Sequence, residues 1–295
     1  MKIEDIKITS GQNEFQNASF ERNDKTLDFE TSSQLSFNDI VSISRGLDTV
    51  SEFFDVNAVV TIDSNTIGAV ALGKSLEEAL VKSMDSNPHD FINSIICVSA
   101  EVDSDFAKML KPSNKIVAPK FTKNALDVLE SHNIGYVQIN TPLKEYKNYI
   151  SNDMRVTPFG TIIQTPNLSD LNKDTFKVVT KAKPTVEQVE DAVFAWKVAK
   201  HVNSKAVVVA KDLGTVAISQ GLQSLAVEFA LDNACDRAKD AILACDSPLT
   251  VHDINVAAQG RIAFIIQPLA SKEIIDLADK YNISMITTGM TNVLY

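Results

Sequence analysis

One pattern occurs twice in the chain and constrains its fold more than any other feature. Residues 59–71 read VVTIDSNTIGAVA and residues 207–218 read VVVAKDLGTVAI, each an apolar stretch, a polar turn and a second apolar stretch. In both halves a helix, a strand, a helix and a further strand are predicted to follow. The halves share few residues, so it is the order of elements that repeats. That order predicts an α/β protein with a duplicated unit, whose mixed sheets carry helices on both faces.

Two helix starts carry the signature of a capping box, in which a Ser or Thr is followed three positions later by a Glu or Gln. The pairs are Ser75 with Glu78 and Thr185 with Gln188. The second pair precedes the most regular helical pattern of the chain, in which Trp196 is predicted to face the core.

Other segments are less regular. Apolar spacing predicts a helix over residues 38–54 and a long amphipathic helix over 222–241. The polar stretch 144–158 predicts irregular structure, and short strands are predicted within 159–167 and 176–181.

The composition argues against several classes of partner. Asp and Glu number 38 against 28 Lys and Arg, a net charge of −10. Nucleic acids and anionic membranes select basic patches, so neither is expected as a partner. No apolar run approaches the roughly 20 residues that span a bilayer, and the first residues lack the apolar core of a signal peptide. We therefore expect a cytoplasmic protein.

The cysteines and histidines predict neither disulfides nor a metal site. Cys97, Cys235 and Cys245 show no CxxC spacing, which is typical of reduced thiols, and the first two are expected to be buried. The four histidines lie far apart, without a Cys or His at metal-ligand spacing. The glycine-rich nucleotide motifs, GxSxG and HExxH are absent as well. No cofactor is therefore certain from motifs.

Several longer stretches carry a specific resemblance. They are VVTKAKPTVEQVEDAVFAWKVAKHVNSKAVVVAKD (178–212) and FIIQPLASKEIIDLADKYNISMITTGM (264–290), supported by IVAPKF (116–121), LSFNDI (35–40) and GQNEFQ (11–16). In this order they resemble the AICAR transformylase family, the formyltransferase part of a bifunctional purine-biosynthesis enzyme. The FAWKVAKHV stretch is the most specific of these matches.

The resemblance implies a fold and an assembly. The fold is a pair of related cytidine-deaminase-like α/β/α halves, which here would comprise residues 1–144 and residues 145–295. The assembly is a homodimer with its sites at the subunit interface. The IMP cyclohydrolase domain that precedes this region in the bifunctional enzyme is not expected here.

The resemblance also implies a reaction, the transfer of a formyl group from 10-formyltetrahydrofolate to the amine of AICAR. The amine must lose a proton and a tetrahedral oxyanion must be stabilised. The family uses the His and Lys of a Lys-His-x-Asn-Pro-Cys-Gly motif for this, and the aligned residues are 62–68. Only Asn65 and Gly68 are kept, whereas Ile62 and Asp63 replace the Lys-His pair. Isoleucine donates nothing, and an aspartate with an ordinary pKa of about 3.9 is a weak base.

Further site segments of the family have changed too. Lys205 stands where the family has the Asn of Lys-Ser-Asn-Ala, and leucines replace Gln and Arg in the segment 221–225. The paired glycines of another segment, aligned with 87–94, now carry side chains. Of the folate-side segment only Asp246 persists, and the closing Arg-His-Phe aligns with 291–293.

These substitutions predict the loss of the parental formyl transfer, with nucleotide binding or regulation as the remaining role. Two alternatives stay open. One is an active formyltransferase with a rebuilt site, and the other is a non-catalytic partner that keeps only a dimerisation surface. AICAR is the expected ligand, and 10-formyltetrahydrofolate is expected as a cofactor only if the family reaction survives.

Five residues are candidates for a ligand pocket: Asp63, Asn65, Gly68, Lys205 and Asp246. Each also has a structural interpretation. Asp63 and Asn65 suit any exposed hairpin turn, and a lysine just before a strand is usually solvated. Asp246 is as consistent with a site remnant as with a structural role.

Overall fold

The computed structural model describes residues 8, 11–13, 15–22, 25–171, 173–222 and 225–294. Strands in these residues are β1 (Phe29–Thr31), β2 (Asn57–Asp63), β3 (Thr66–Gly73), β4 (Ile95–Val98), β5 (Lys115–Ala118), β6 (Gly135–Ile139), β7 (Asp153–Thr157), β8 (Gly160–Gln164), β9 (Lys177–Val178), β10 (Val207–Lys211), β11 (Gly214–Ser219), β12 (Ile242–Cys245), β13 (Phe264–Gln267) and β14 (Ser284–Thr287). Helices are α1 (Phe37–Val50), α2 (Leu76–Ser86), α3 (Ser104–Met109), α4 (Lys123–Ser131), α5 (Val186–Ala199), α6 (Ala226–Ala234), α7 (Val251–Gln259) and α8 (Lys272–Lys280).

Twelve of the strands form one mixed sheet in the order β1-β6-β5-β4-β2-β3-β11-β10-β12-β13-β14-β9. In the first half β2 pairs antiparallel with β3 and β4, and β4, β5 and β6 are parallel. In the second half β10 pairs antiparallel with β11 and β12, and β12, β13 and β14 are parallel. The repeated hairpin and the mixed, helix-flanked sheet predicted from the sequence are therefore confirmed.

The two hairpins meet at the centre of the sheet. Gly214 of β11 pairs with Ala71 of β3, and the Leu72 N–H donates to the carbonyl of Leu213 at 2.8 Å. At the outer edges, β1 adds antiparallel to β6 and β9 adds antiparallel to β14. Both halves thus contribute to one continuous sheet. The boundary between the two halves near residue 144 stays a prediction from the sequence.

One face of the sheet has a core that belongs to both halves. Helices α1 and α5 lie there, and a single apolar cluster joins Val60 and Ile62 of β2 to Trp196 of α5 and Val208 of β10. The opposite face has two separate clusters, one under α2, α3 and α4 and one under α6, α7 and α8. Trp196 is buried as predicted. The α1–α5 side is therefore where the two halves share one apolar core.

The capping signals were largely correct. Thr185 and Gln188 form the predicted capping box at the start of α5. Ser75 caps α2, but the Glu78 carboxylate accepts from the N–H of Lys74 instead of Ser75, so that box is incomplete. Helix α1 begins earlier than predicted because Ser36 caps it through a box with Asp39.

Two predictions of secondary structure and one of burial were wrong. The long helix over 222–241 is only α6, because Cys235 has φ of 50° in the left-handed region and a 3₁₀ turn follows. Gln223 and Ser224, within that stretch, lie outside the described residues. Residues 153–157 form β7 instead of irregular structure, because they pair with β8 in a separate hairpin. Cys235 is exposed rather than buried.

Candidate functional site

The first hairpin turn holds four of the residues aligned with the family motif. Strands β2 and β3 are joined by the two residues Ser64 and Asn65, with φ of 47° and 62°. Such a turn needs left-handed conformations, which Asn adopts more readily than most residues. Asp63 is partly exposed, and its carboxylate accepts a hydrogen bond of 3.3 Å from the hydroxyl of Ser64.

The residue before Asp63 faces the opposite environment. Ile62 is only 1% exposed and belongs to the core cluster beneath α1. Gly46 of α1 allows this close packing, since a Cβ there would lie 3.3 Å from Ile62 Cγ1 and 2.3 Å from Cys97 Sγ. Gly68 also has a packing role, because a Cβ would lie 3.1 Å from the Thr61 hydroxyl.

Lys205 lies inside the second half and does not face solvent, so the solvated interpretation is wrong. Its ammonium pairs with Asp253 Oδ2 at 2.9 Å, and both side chains are at most 2% exposed. The same oxygen accepts from the N–H and the hydroxyl of Thr250, the cap of α7. The ammonium is therefore committed to an ion pair that holds the start of α7 against β10.

Asp246 is also committed to internal bonds. Its buried carboxylate accepts from the Ser204 hydroxyl, from the Ala206 N–H at 3.1 Å and from the Ser247 hydroxyl at 2.8 Å. The Ser204 hydroxyl in turn accepts from the N–H of Leu294 at 3.1 Å. These bonds fasten residues near the C-terminus to the beginning of β10.

Of the five candidates, only Asn65 lines a cavity identified at the junction of the two halves. This cavity has a volume of about 630 Å³ and lies between α1, the end of α5, the loop 164–168 and residues 293–294. The Asn65 N–H donates to the Ser42 hydroxyl at 3.1 Å, but its buried Oδ1 accepts no hydrogen bond from any described residue. We call this space the junction cavity.

A charged cluster forms the floor of the junction cavity. Glu52 accepts from the Lys200 ammonium at 2.9 Å and lies 3.7 Å from that of Lys147. The His201 Nε2 atom is 3.5 Å from Glu52 Oε1, the limit of a hydrogen bond, and no described residue bonds to it with good geometry. Burial disfavours the Glu52 carboxylate, but His201 and Lys200 outweigh this penalty and hold its pKa well below the usual range.

Two further charged side chains extend the cluster along α1. Burial raises the pKa of Asp48 above its usual range, although nearby His201 and a hydrogen bond of 2.8 Å from Tyr146 oppose the shift. The Arg45 guanidinium donates through Nη1 to the carbonyl of His201 at 2.9 Å and to Asn203 Oδ1 at 3.3 Å.

The spacing of three charged residues in the sequence indicates this cluster. Arg45, Asp48 and Glu52 recur at positions i, i+3 and i+7, which places three charges on one face of α1 and of the 3₁₀ turn Ser51–Phe53 that follows it. A charged face on a helix that packs against another helix indicates a buried polar junction. The partners Lys200 and His201 lie in FAWKVAKHV, the stretch that carries the most specific resemblance.

Neither a cluster of metal-ligand side chains nor a membrane-spanning helix is found in the described part of the chain. No group of three or more His, Cys, Asp or Glu side chains there is arranged to hold a metal ion. None of the helices in the described ranges combines the length and the apolar character needed to cross a bilayer.

Comparison with known proteins places these features in a family. Residues 2–232 match the model of the AICARFT/IMPCHase bienzyme family. The bifunctional purine biosynthesis protein PurH of Anoxybacillus flavithermus is 32% identical over 266 aligned positions, which cover 87% of this chain and 51% of that protein. Its counterpart from Caldicellulosiruptor saccharolyticus is 33% identical over 303 aligned positions, 96% of this chain and 58% of that protein. The PurH of Dictyostelium discoideum is 32% identical over 278 aligned positions, which cover 88% of this chain and 51% of that protein.

The chain spans about half the length of the curated relatives it matches. The family model alone covers more than three quarters of the 295 residues, and the resemblance inferred from the site and scaffold segments agrees with it. This chain belongs to the AICARFT/IMPCHase bienzyme family.

Proposed function

We propose that this chain is an AICAR transformylase-like protein of purine biosynthesis that does not transfer the formyl group. One observation carries the proposal: Ile62, aligned with the family's lysine, is 1% exposed within the apolar core. A hydrocarbon in that position neither stabilises an oxyanion nor moves a proton. Asp63, aligned with the family's histidine, carries a negative charge, which would repel the oxyanion that forms during formyl transfer.

The other aligned positions support the same proposal. Lys205 could have compensated for the missing lysine, but its ammonium is bound to Asp253 at 2.9 Å. The Asp246 carboxylate is occupied by three internal donors. Asp63 and Asn65 then remain as the residues of the first hairpin that could contact a bound nucleotide such as AICAR.

The decisive assay measures formylated product from AICAR and 10-formyltetrahydrofolate with purified protein. We expect no product above a no-enzyme blank, under conditions in which the PurH of Anoxybacillus flavithermus is assayed in parallel. In the same samples, a ligand that binds only the folded state at a hundredfold excess over Kd adds about 2.7 kcal/mol to the free energy of unfolding. A thermal scan with AICAR, IMP and folates therefore tests binding separately from turnover.

The contrary outcome also has a clear form. Product above the blank that disappears in Asp63→Ala, with unchanged circular dichroism, would identify an active formyltransferase with a rebuilt site. 10-Formyltetrahydrofolate would then be its cofactor.

A second candidate role, as a non-catalytic partner in a homodimer, is favoured by the β7–β8 hairpin. These strands pair only with each other among the described residues. One face carries Met154, Val156 and Ile163, each more than half exposed, and Phe159 at the tip is fully exposed. A two-stranded hairpin alone is marginally stable in water, so an apolar face on it is typical of a surface that packs on another chain.

The hairpin gives the dimer a direct test. We expect the wild-type protein to sediment as a dimer and Val156→Asp to shift it towards monomer, because a charge would then be buried in the contact. Val186→Asp is the matched control, since Val186 is 72% exposed at the start of α5, far from the hairpin in sequence. Analytical ultracentrifugation at micromolar concentration measures both. A monomeric wild type, or a Val156→Asp protein that stays dimeric, contradicts the role of this face.

The proposal includes a division of the chain into two units, which is inferred from the sequence. A first unit over residues 1–144 and a second over 145–295 follow from the repeated order of elements. A cytoplasmic location agrees with relatives that are named for purine biosynthesis.

A further inference from the structure

Two polar atoms of the junction cavity are buried without a hydrogen-bond partner among the described residues. They are Asn65 Oδ1, which can only accept, and His201 Nε2. A buried polar atom without a hydrogen-bond partner destabilises the folded protein. Both atoms belong to residues that line the same space, so a molecule bound there has an unpaired acceptor to bond to in Asn65 Oδ1.

The unused bonding capacity of Arg45 indicates one end of such a molecule. The Nη1 atom of Arg45 donates to the carbonyl of His201 and to Asn203 Oδ1, while its Nε and Nη2 atoms donate to no described residue. A guanidinium edge with free N–H groups matches the two oxygens of a carboxylate or a phosphate. The oxygens of Glu52, by contrast, already face Lys200, Lys147 and His201. The ligand must therefore bring acceptors to Arg45 and a donor to Asn65.

The balance of charge selects between a carboxylate and a phosphate. Three basic side chains line the cavity, those of Arg45, Lys147 and Lys200, and three acidic ones oppose them, from Asp48, Glu52 and Asp153. A dianionic phosphate would add two negative charges to this balanced set within a partly buried site, where repulsion is weakly screened. A zwitterion adds no net charge and supplies both the acceptor and the donor.

The remaining lining describes the rest of the ligand. Apolar side chains of Ile40, Ile150, Leu168 and Leu294 contribute to the wall, and the volume of about 630 Å³ lies within the usual range of small-molecule sites. An apolar group on the zwitterion would be removed from water against them.

We propose that the junction cavity binds a small zwitterion of the α-amino acid type with an apolar side chain. Its carboxylate lies on the free edge of Arg45, and its ammonium donates to Asn65 Oδ1. The binding is independent of formyl transfer and uses neither Asp63 nor Lys205.

Isothermal titration calorimetry with L-leucine, L-methionine and L-phenylalanine tests the site. We expect at least one of them to bind, and its analogues to show which groups matter. For leucine, 4-methylpentanoate lacks the ammonium and isopentylamine lacks the carboxylate. A hydrogen bond to a charged group contributes about 1.5–3 kcal/mol, so each analogue should bind about tenfold to a hundredfold more weakly. Inorganic phosphate and AMP should bind more weakly than the amino acid.

Neighbouring turn residues provide a matched pair of variants. Asn65→Gly removes the buried acceptor while glycine tolerates the left-handed backbone, and we expect amino acid binding to weaken at least about tenfold. Binding of 4-methylpentanoate should not change, since it makes no bond to that atom. Ser64→Gly makes the same substitution at the adjacent left-handed position, whose exposed side chain does not line the cavity, and should leave binding unchanged.

Three outcomes overturn the proposal. No heat from any of the three amino acids at about 10 mM means that the cavity holds water only. Tighter binding of phosphate or AMP makes it an anion site instead. Equal binding by Asn65→Gly and Ser64→Gly removes Asn65 from the site. None of these outcomes depends on the formylation assay, so this proposal and the proposed function can fail separately.

Discussion

Replacing Lys205 by methionine is expected to lower the free energy of unfolding by about 3–5 kcal/mol, the usual effect of removing one partner of a buried ion pair. Methionine has a similar length, so little volume is lost. The Asp253 carboxylate, 1% exposed, would keep only the two donors of Thr250, and its Oδ1 accepts no hydrogen bond from the described residues even in the wild type. Urea denaturation followed by circular dichroism measures the change.

An exposed lysine with the same kind of partner provides the control. Lys108 pairs with Asp105 at 2.7 Å, with side chains 58% and 77% exposed, so Lys108→Met should leave the free energy of unfolding nearly unchanged. In the double variant Lys205→Met with Asp253→Asn, the buried charge is gone and much of the stability should return. If Lys205→Met is no less stable than Lys108→Met, the pair does not support the fold, and Lys205 becomes a candidate for ligand binding again.

The fold was largely predictable because its signals are local. Alternating apolar stretches, turn residues and helix caps are read within a few positions, and the repeated hairpin determined the arrangement of strands. The errors also have local causes. Helix α6 ends before Cys235 because Cys235 itself adopts a left-handed conformation. The spacing of apolar residues along a sequence does not reveal the φ angle of one residue. Helix α7 was missed although Thr250 and Asp253 mark its start with a capping box.

The site was less predictable because its chemistry depends on contacts between distant residues. The sequence gives no indication that Lys205 faces Asp253, 48 positions away, and a lysine is rarely buried without such a partner. Glu52 meets Lys200 only because the 3₁₀ turn Ser51–Phe53 after α1 contacts α5 from the other half, where Phe53 packs on Phe194. Alignment with a family motif points to the first hairpin turn, but it cannot show that Ile62 is buried or that Asn65 lines a cavity.

The burial of Ile62 leads to the prediction with the largest expected effect. Ile62→Lys would restore the family's residue, yet it would place an ammonium among Val60, Cys97 and the helix α1. Burial lowers the pKa of a lysine, and the corresponding free energy is about 4–7 kcal/mol for a fully buried one. That is a large part of the 5–15 kcal/mol that usually stabilises a folded domain. We therefore expect Ile62→Lys to be severely destabilised at pH 7.

The pH dependence separates this cause from a simple packing defect. Since the pKa of the introduced lysine is lower in the folded than in the unfolded state, the unfolded chain binds more protons between those two values. The free energy of unfolding of Ile62→Lys, relative to wild type, should accordingly rise between pH 7 and pH 10. The control Ile62→Met, with a side chain of similar volume, should lose less than about 1.5 kcal/mol and show no such rise. If instead Ile62→Lys is as stable as Ile62→Met, its ammonium reaches water at the hairpin turn. The double variant with Asp63→His would then be assayed for formyl transfer, because the absence of the Lys-His pair would be the barrier to catalysis rather than the packing around it.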